Sequence, residues 1–147
     1  MSEKDQLQQG MITAFEDYSS DSNLAYRPKF ISNNYKKGQK VLSAIESELR
    51  GCSSFSISVA FITEGGITPL LQVLKDLEER NIPGRILTTD YLCFTDPKAL
   101  VKLSQLKNIQ LKMFRVGETS EGFHTKGYIF NLGAEQNGQE IYHIITG

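Results

Sequence analysis

The sequence has two cysteines and two histidines in 147 residues, and both scarcities exclude chemistry. His124 and His143 are too few and too far apart for a metal cluster, and neither an HExxH run nor a Cys-x-x-Cys pair is present. Cys52 and Cys93 read as reduced thiols, since a chain of this length buries about 68–70% of its unfolded surface without a disulfide staple. A phosphate loop ending in Gly-Lys-Ser/Thr, a GxSxG elbow and a GxGxxG fingerprint are all missing, so ATP hydrolysis, serine-hydrolase chemistry and dinucleotide binding lack their parts. No run of 18 apolar residues occurs, and the opening MSEKDQLQQG is too polar for a signal peptide. Membrane insertion and export are therefore excluded, and the expected compartment is the cytoplasm. Nor is there an amphipathic basic helix with Trp and Phe for a lipid interface.

What is present is the profile of one globular domain with an appended arm: 39% hydrophobic, 10% aromatic and 22% charged residues. The formal net charge of −1 hides an uneven distribution. Residues 1–25 carry one lysine against five acids, a net of −4, which leaves 15 basic against 12 acidic residues, a net of +3, for the rest. Between Asp21 and Glu46 there is no acid, while Arg27, Lys29, Lys36, Lys37 and Lys40 alternate with Tyr26, Phe30 and Tyr35. Such a stretch suits a polyanion through phosphate contacts and stacking, and equally suits a solvated helix face.

The polar segment 1–25, with one apolar cluster at Met11, Ile12 and Phe15, reads as an arm or short helix, and the folded domain as residues 26–147. Val41, Leu42, Ile45 and Leu49 form a helical stripe within residues 34–50, closed by Gly51. Residues 55–62, FSISVAFI, alternate large apolar side chains with Ser56, Ser58 and Ala60, which predicts a central strand with one face of small residues. Thr68 before Pro69 predicts a capped helix start, with Leu70, Leu71, Leu74 and Leu77 at helical spacing up to Asn81. A strand over 84–92 follows. Asp96 before Pro97 repeats the cap and leads through Leu100, Leu103 and Leu106 to a strand over 109–116. This βαβαβ order predicts an α/β fold, a mixed and largely parallel sheet covered by helices on both faces. Residues 124–130 and 141–147 complete it as an antiparallel hairpin.

His124-Thr125-Lys126 stands out because residues i and i+2 of a strand share a face, which sets an imidazole beside an ammonium. A neutral imidazole can attack phosphorus while the ammonium balances the non-bridging oxygens, with no metal needed. By itself the pair is equally a surface strand carrying two polar residues.

FHTKGYIFN resembles the first block of the phospholipase D superfamily signature, His-x-Lys and, after four intervening residues, Asp. The terminal IITG resembles the strand leading into that family's Gly-Ser-x-Asn block. SISVAFITEGGI, GRILTTDYLCFTDPKAL and FHTKGYIFNL, in this order, look like the phospholipase D-like domain at the N-terminus of bacterial superfamily II (DEAD/DEAH-type) helicases and related restriction-type proteins, over about residues 35–147. The resemblance implies a phospholipase D-like half-unit, truncated at its C-terminal end, that acts on DNA or another nucleic acid. It makes His124 the nucleophile of a phosphohistidine intermediate and Lys126 the phosphate ligand. Asn131 stands where Asp is usual; an amide orients a neighbour by hydrogen bonding but holds no negative charge. The family mechanism needs two such motifs and this chain has one, so a homodimer that brings two His124 together is the economical arrangement, a missing continuation the other. No cofactor is implied for this fragment; ATP and magnesium enter only if helicase parts follow. A non-catalytic nucleic-acid-binding or dimerisation module with the same fold is the alternative function.

Glu64 after the first strand, and Thr89, Asp90 and Tyr91 at the end of the second, lie where the C-terminal ends of parallel strands border a ligand crevice. Glu64, Thr89 and Tyr91, with Lys36, Lys37 and Lys40 of the basic stretch, are the substrate-binding candidates. His143, among Ile141, Ile144 and Ile145, reads as part of a buried strand, and Cys93 as small and partly buried.

Overall fold

A computed structural model of the chain describes residues 2–5, 8, 29–118 and 124–147, leaving out the side chain of Tyr35. Two compact units are distinguished, Met1–Ala44 and Ile45–Gly147. Met11, Ile12, Phe15, Tyr26 and Arg27 lie outside the described residues. In the first unit a single turn of 3-10 helix, Tyr35–Lys37, is closed by the bridge between Asn34 and Gln39 and by Gly38 at φ +67°. Lys36, Lys37 and Lys40 are exposed there.

Helix α1, Val41–Gly51, turns Ile45 and Leu49 into the core of the second unit. It begins later than residue 34 because the Tyr35–Lys37 turn ends in a glycine with left-handed backbone. Strand β1, Ser54–Val59, is followed by the four-residue helix α2, Glu64–Ile67, a 3-10 turn at Thr68–Leu70, and α3, Leu71–Glu79. The cap of this run is Thr63, not Thr68. Thr63 has extended backbone and its hydroxyl accepts from the Gly66 N–H at 3.1 Å. Thr68 is already helical and donates its hydroxyl to the Glu64 carbonyl. Pro69 lies in the 3-10 turn, since it has no N–H to continue the α-type ladder.

Strand β2 is Gly84–Thr89, α4 is Pro97–Ser104 and β3 is Ile109–Phe114. The cap expected at Asp96 is present: its carboxylate accepts from the Lys98 N–H at 2.8 Å, with Pro97 in the first turn. The hairpin is β4, Lys126–Ala134, and β5, Glu140–Thr146.

The five strands run in the order β3-β2-β1-β4-β5, so β1 is central as its sequence suggests. β1, β2 and β3 are mutually parallel; β4 runs antiparallel to β1, and β5 to β4. Among the described residues the helices cover one face of the sheet, not both as expected. Two right-handed crossovers that step in the same direction, β1 to β2 to β3, place α3 and α4 on the same face. That face carries Phe55, Phe130, Ile86 and Thr88 and is covered by Val73, Leu74, Leu77, Ala99 and Leu103 of the helices, all buried. The opposite face, with Ser56, Ser58, Ile129, Tyr142 and Ile144, is open: Ile144 is 65% exposed. The covered face is tightly closed at Gly84, where an added Cβ would stand 2.1 Å from Cζ of Phe55.

Among the described residues no helix is long and apolar enough to cross a membrane.

Candidate functional site at the strand-end rim

The site is built where β1 stops and β4 starts. β1 has a parallel neighbour, β2, on one side and an antiparallel one, β4, on the other, so its C-terminal end is a switch point of the sheet. Lys126 is paired with Val59, the last residue of β1. The ladder continues one step further through the Ala60 N–H to the Thr125 carbonyl, 3.0 Å, which brings His124 level with Phe61. Thr125 points to the open face, where its hydroxyl meets that of Ser58 at 2.7 Å. His124 and Lys126 therefore flank it from the helix-covered side of the sheet. Both are exposed, and among the described residues neither has an ion-pair or hydrogen-bond partner.

The other rim residues divide by what their polar atoms already hold. Glu64 pairs with Lys102 at 2.6 Å, tying α2 to α4. Thr89 is fully buried; its hydroxyl donates to the Ala60 carbonyl at 2.7 Å and accepts from the Tyr91 N–H. Its work is to fix the spacing of the ends of β1 and β2, not to meet a ligand. Asp90 accepts from the Val116 N–H at 2.9 Å. Tyr91 is different. Its ring lies edge-on to Phe94, 6.4 Å between centroids, and Phe94 lies edge-on to Phe61 at 5.8 Å. All three rings are exposed, a feature that no single sequence motif announces.

The turn that holds two of these rings is strained. Leu92 and Cys93 adopt left-handed backbone, φ 48° and 56°, at a cost of about 1–3 kcal/mol each. The bonds of Thr89 and Asp90, with Thr95 donating to the Thr89 carbonyl at 2.7 Å, hold the turn in place. Cys93 is consequently exposed, not partly buried. Phe61 also lines a cavity of about 260 Å³ whose other walls are mostly apolar side chains such as Ile57, Val59 and Leu74, with Thr63 and Tyr128 among them. Burial raises the Tyr128 phenol above its ordinary pKa, so it remains a neutral hydrogen-bonding group.

Asn131 is not brought to this rim. It pairs with Ser54 at the start of β1, on the open face, roughly 17 Å along the strand from Lys126 at about 3.4 Å per residue. Its side-chain oxygen accepts from the Gly133 N–H at 2.7 Å and its amide nitrogen donates to the Tyr142 hydroxyl at 3.2 Å. These bonds shape the irregularity of the β4–β5 register between Asn131 and Ala134. His143 is not in a buried strand either: it shares the helix-covered face with Phe130 but stands on the edge strand β5, where it is half exposed and its Nδ1 lies 2.9 Å from Glu48 of α1. It does not join His124. The described residues contain no cluster of three or more His, Cys, Asp and Glu that could hold a metal ion.

No family model matches the chain, and no curated protein matches it. Among solved structures, the chain is similar to one described as TrmBL2, an archaeal chromatin protein that shows a novel mode of DNA binding. The likeness has 15% identity and a TM-score of 0.39, over 98% of this chain and 54% of that one, so the chain spans about half of that protein's length.

Proposed function

We propose that the chain is a phosphodiesterase module that acts on DNA without a metal, with His124 as nucleophile and Lys126 as phosphate ligand. The observation that carries this reading is their position: two exposed basic side chains, without partners among the described residues, at the switch point of a mixed sheet. An imidazole nitrogen of His124 would bond to phosphorus as the bond to the leaving ester oxygen breaks, while the Lys126 ammonium balances charge on the non-bridging oxygens. The leaving oxygen takes a proton from a second His124 on a two-fold-related copy. Water then displaces the first imidazole from phosphorus and returns that proton. Each copy thus supplies half of a site. In this reading the module belongs to a larger helicase or restriction-type protein, whose other parts would use ATP and magnesium, and it works as a homodimer in the cytoplasm.

One observation favours the second reading, a nucleic-acid-binding or dimerisation module without chemistry. A single imidazole stands at the rim, and the other, His143, is engaged by Glu48. Labelled DNA in EDTA separates the two. The first reading expects nicking that His124→Ala abolishes; binding without cleavage in both proteins would leave the second.

A further inference from the structure

We propose that Phe61, Phe94 and Tyr91 form a stacking platform for an unpaired base, so that the nucleic acid held at His124 and Lys126 is single-stranded. This rests on the reading of that pair as a phosphodiester site and names the class of substrate it takes.

The argument begins with exposure. Phe61, Tyr91 and Phe94 are 43%, 44% and 53% exposed, and they are contiguous, linked edge to face in the order Phe61–Phe94–Tyr91. Aromatic rings that serve only the core are driven inward, as Phe55 and Phe130 are. A contiguous exposed patch marks a binding surface. Tyr91 and Phe94 are moreover held outward by a turn that keeps two successive non-glycine residues, Leu92 and Cys93, in left-handed backbone. The arrangement is maintained against strain.

Charge and position select the occupant. Glu64 is neutralised by Lys102, and Asp90 and Asp96 each direct a carboxylate oxygen at a backbone N–H, of Val116 and Lys98, while Lys126 is, among the described residues, a cation of the β1–β4 ladder without an ion-pair partner, with His124 available to a phosphate oxygen or phosphorus. The antiparallel register sets Phe61 level with His124 and Val59 level with Lys126. The Lys126 ammonium, two residue pairs along the ladder from an exposed aromatic side chain and so roughly 7 Å away at about 3.4 Å per residue, suits the alternation of a nucleotide, phosphate then base. A duplex keeps its base faces stacked inside and offers nothing to such a platform. The cavity that Phe61 lines does not take the base, because its lining is mostly apolar and a base's polar edge would find few partners there. The base lies on the rim.

The test is binding at fixed salt, since phosphate contacts make every nucleic-acid affinity salt-dependent. The probes are a fluorescently labelled single-stranded oligonucleotide, its duplex, and the same single strand with internal abasic positions. The platform predicts that wild type prefers the single strand by roughly tenfold or more, and that abasic positions erase this preference. Phe94→Leu, which keeps apolar volume at an exposed position, should weaken single-strand binding by about 5- to 150-fold and leave duplex binding unchanged. Phe61→Leu is the second variant, and unchanged circular dichroism melting certifies that both fold. Equal wild-type affinity for single strand and duplex, or a Phe94→Leu protein that binds the single strand as wild type does, overturns the platform. Lys126→Ala separates this from failure of the underlying site. If it weakens single strand and duplex alike while Phe94→Leu weakens neither, only the platform falls. If Lys126→Ala changes neither, the phosphodiester reading falls with it.

Discussion

Lys126 and His124 derive their setting from one hydrogen bond beyond the formal start of β4, the Ala60 N–H to the Thr125 carbonyl, which extends the ladder to the rim. Two residues at i and i+2 were enough to say that an imidazole and an ammonium share a side; where that side faces required the register with β1. Asn131 illustrates the opposite case. Its motif position invites a role beside His124, yet an odd number of residues from Lys126 puts it on the other face, bonded to Gly133 and Tyr142. The two thiols also separate by environment. Cys52 is 3% exposed, its thiol donates to the Leu49 carbonyl at 3.2 Å, and burial pushes its pKa up. With a chromogenic disulfide near neutral pH, Cys93 should react promptly and Cys52 only on unfolding; two equally fast thiols would contradict this assignment. The raised pKa also has a sign for stability. Below about pH 8.5, the ordinary thiol value, the thiol is protonated in both folded and unfolded chains and the contribution is complete. As pH climbs through the folded value that contribution is lost, so wild type should lose more stability than Cys52→Ala across the alkaline range, followed by urea melts.

The elements were legible where the chain punctuates itself. Asp96-Pro97 opens α4 as its residue types require, and the alternation in 55–62 marks β1. Thr68-Pro69 misleads because the same two residue types also suit a helix that passes through a 3-10 turn, and the true cap, Thr63, precedes two glycines that discourage a helical reading. Thr63→Ala should therefore cost about 0.5–2 kcal/mol in chemical denaturation, the usual loss for a helix cap. Thr68→Ala should cost less, because its hydroxyl only doubles a bond to the Glu64 carbonyl. An equal loss would show that the cap is not at Thr63. At Gly84 of β2 the Phe55 ring of β1 occupies the space a Cβ would need. Gly84→Ala forces its new methyl into the Phe55 ring, and a destabilisation of about 1–3 kcal/mol is expected from such overpacking. A neutral outcome would mean that the ring is free to move aside.

Within the unit Ile45–Gly147 the described residues form a sheet with one covered and one open face, and the periodicity of β1 alone does not distinguish these. Ser56 and Ser58 predict close approach by something; they do not say what, and the direction in which successive crossovers step decides which face the helices take. The asymmetry is measurable. Leu77→Ala, beneath α3, should cost about 2–5 kcal/mol, whereas Ile144→Ser on the open face should change stability by less than about 0.5 kcal/mol in the isolated chain. A large loss at Ile144 would show that this face is packed in solution. The functional reading stands on a different part of the same geometry, the rim where β1 meets β4. Its central claim is that the His124 imidazole bonds to phosphorus, and a covalent adduct tests that most directly. DNA carrying a labelled phosphate is incubated with the chain in EDTA, denatured in alkali and resolved by mass. The account predicts a phosphate-linked peptide containing His124 that is absent from His124→Ala; no adduct alongside undiminished cleavage, or an adduct on another residue, would contradict it.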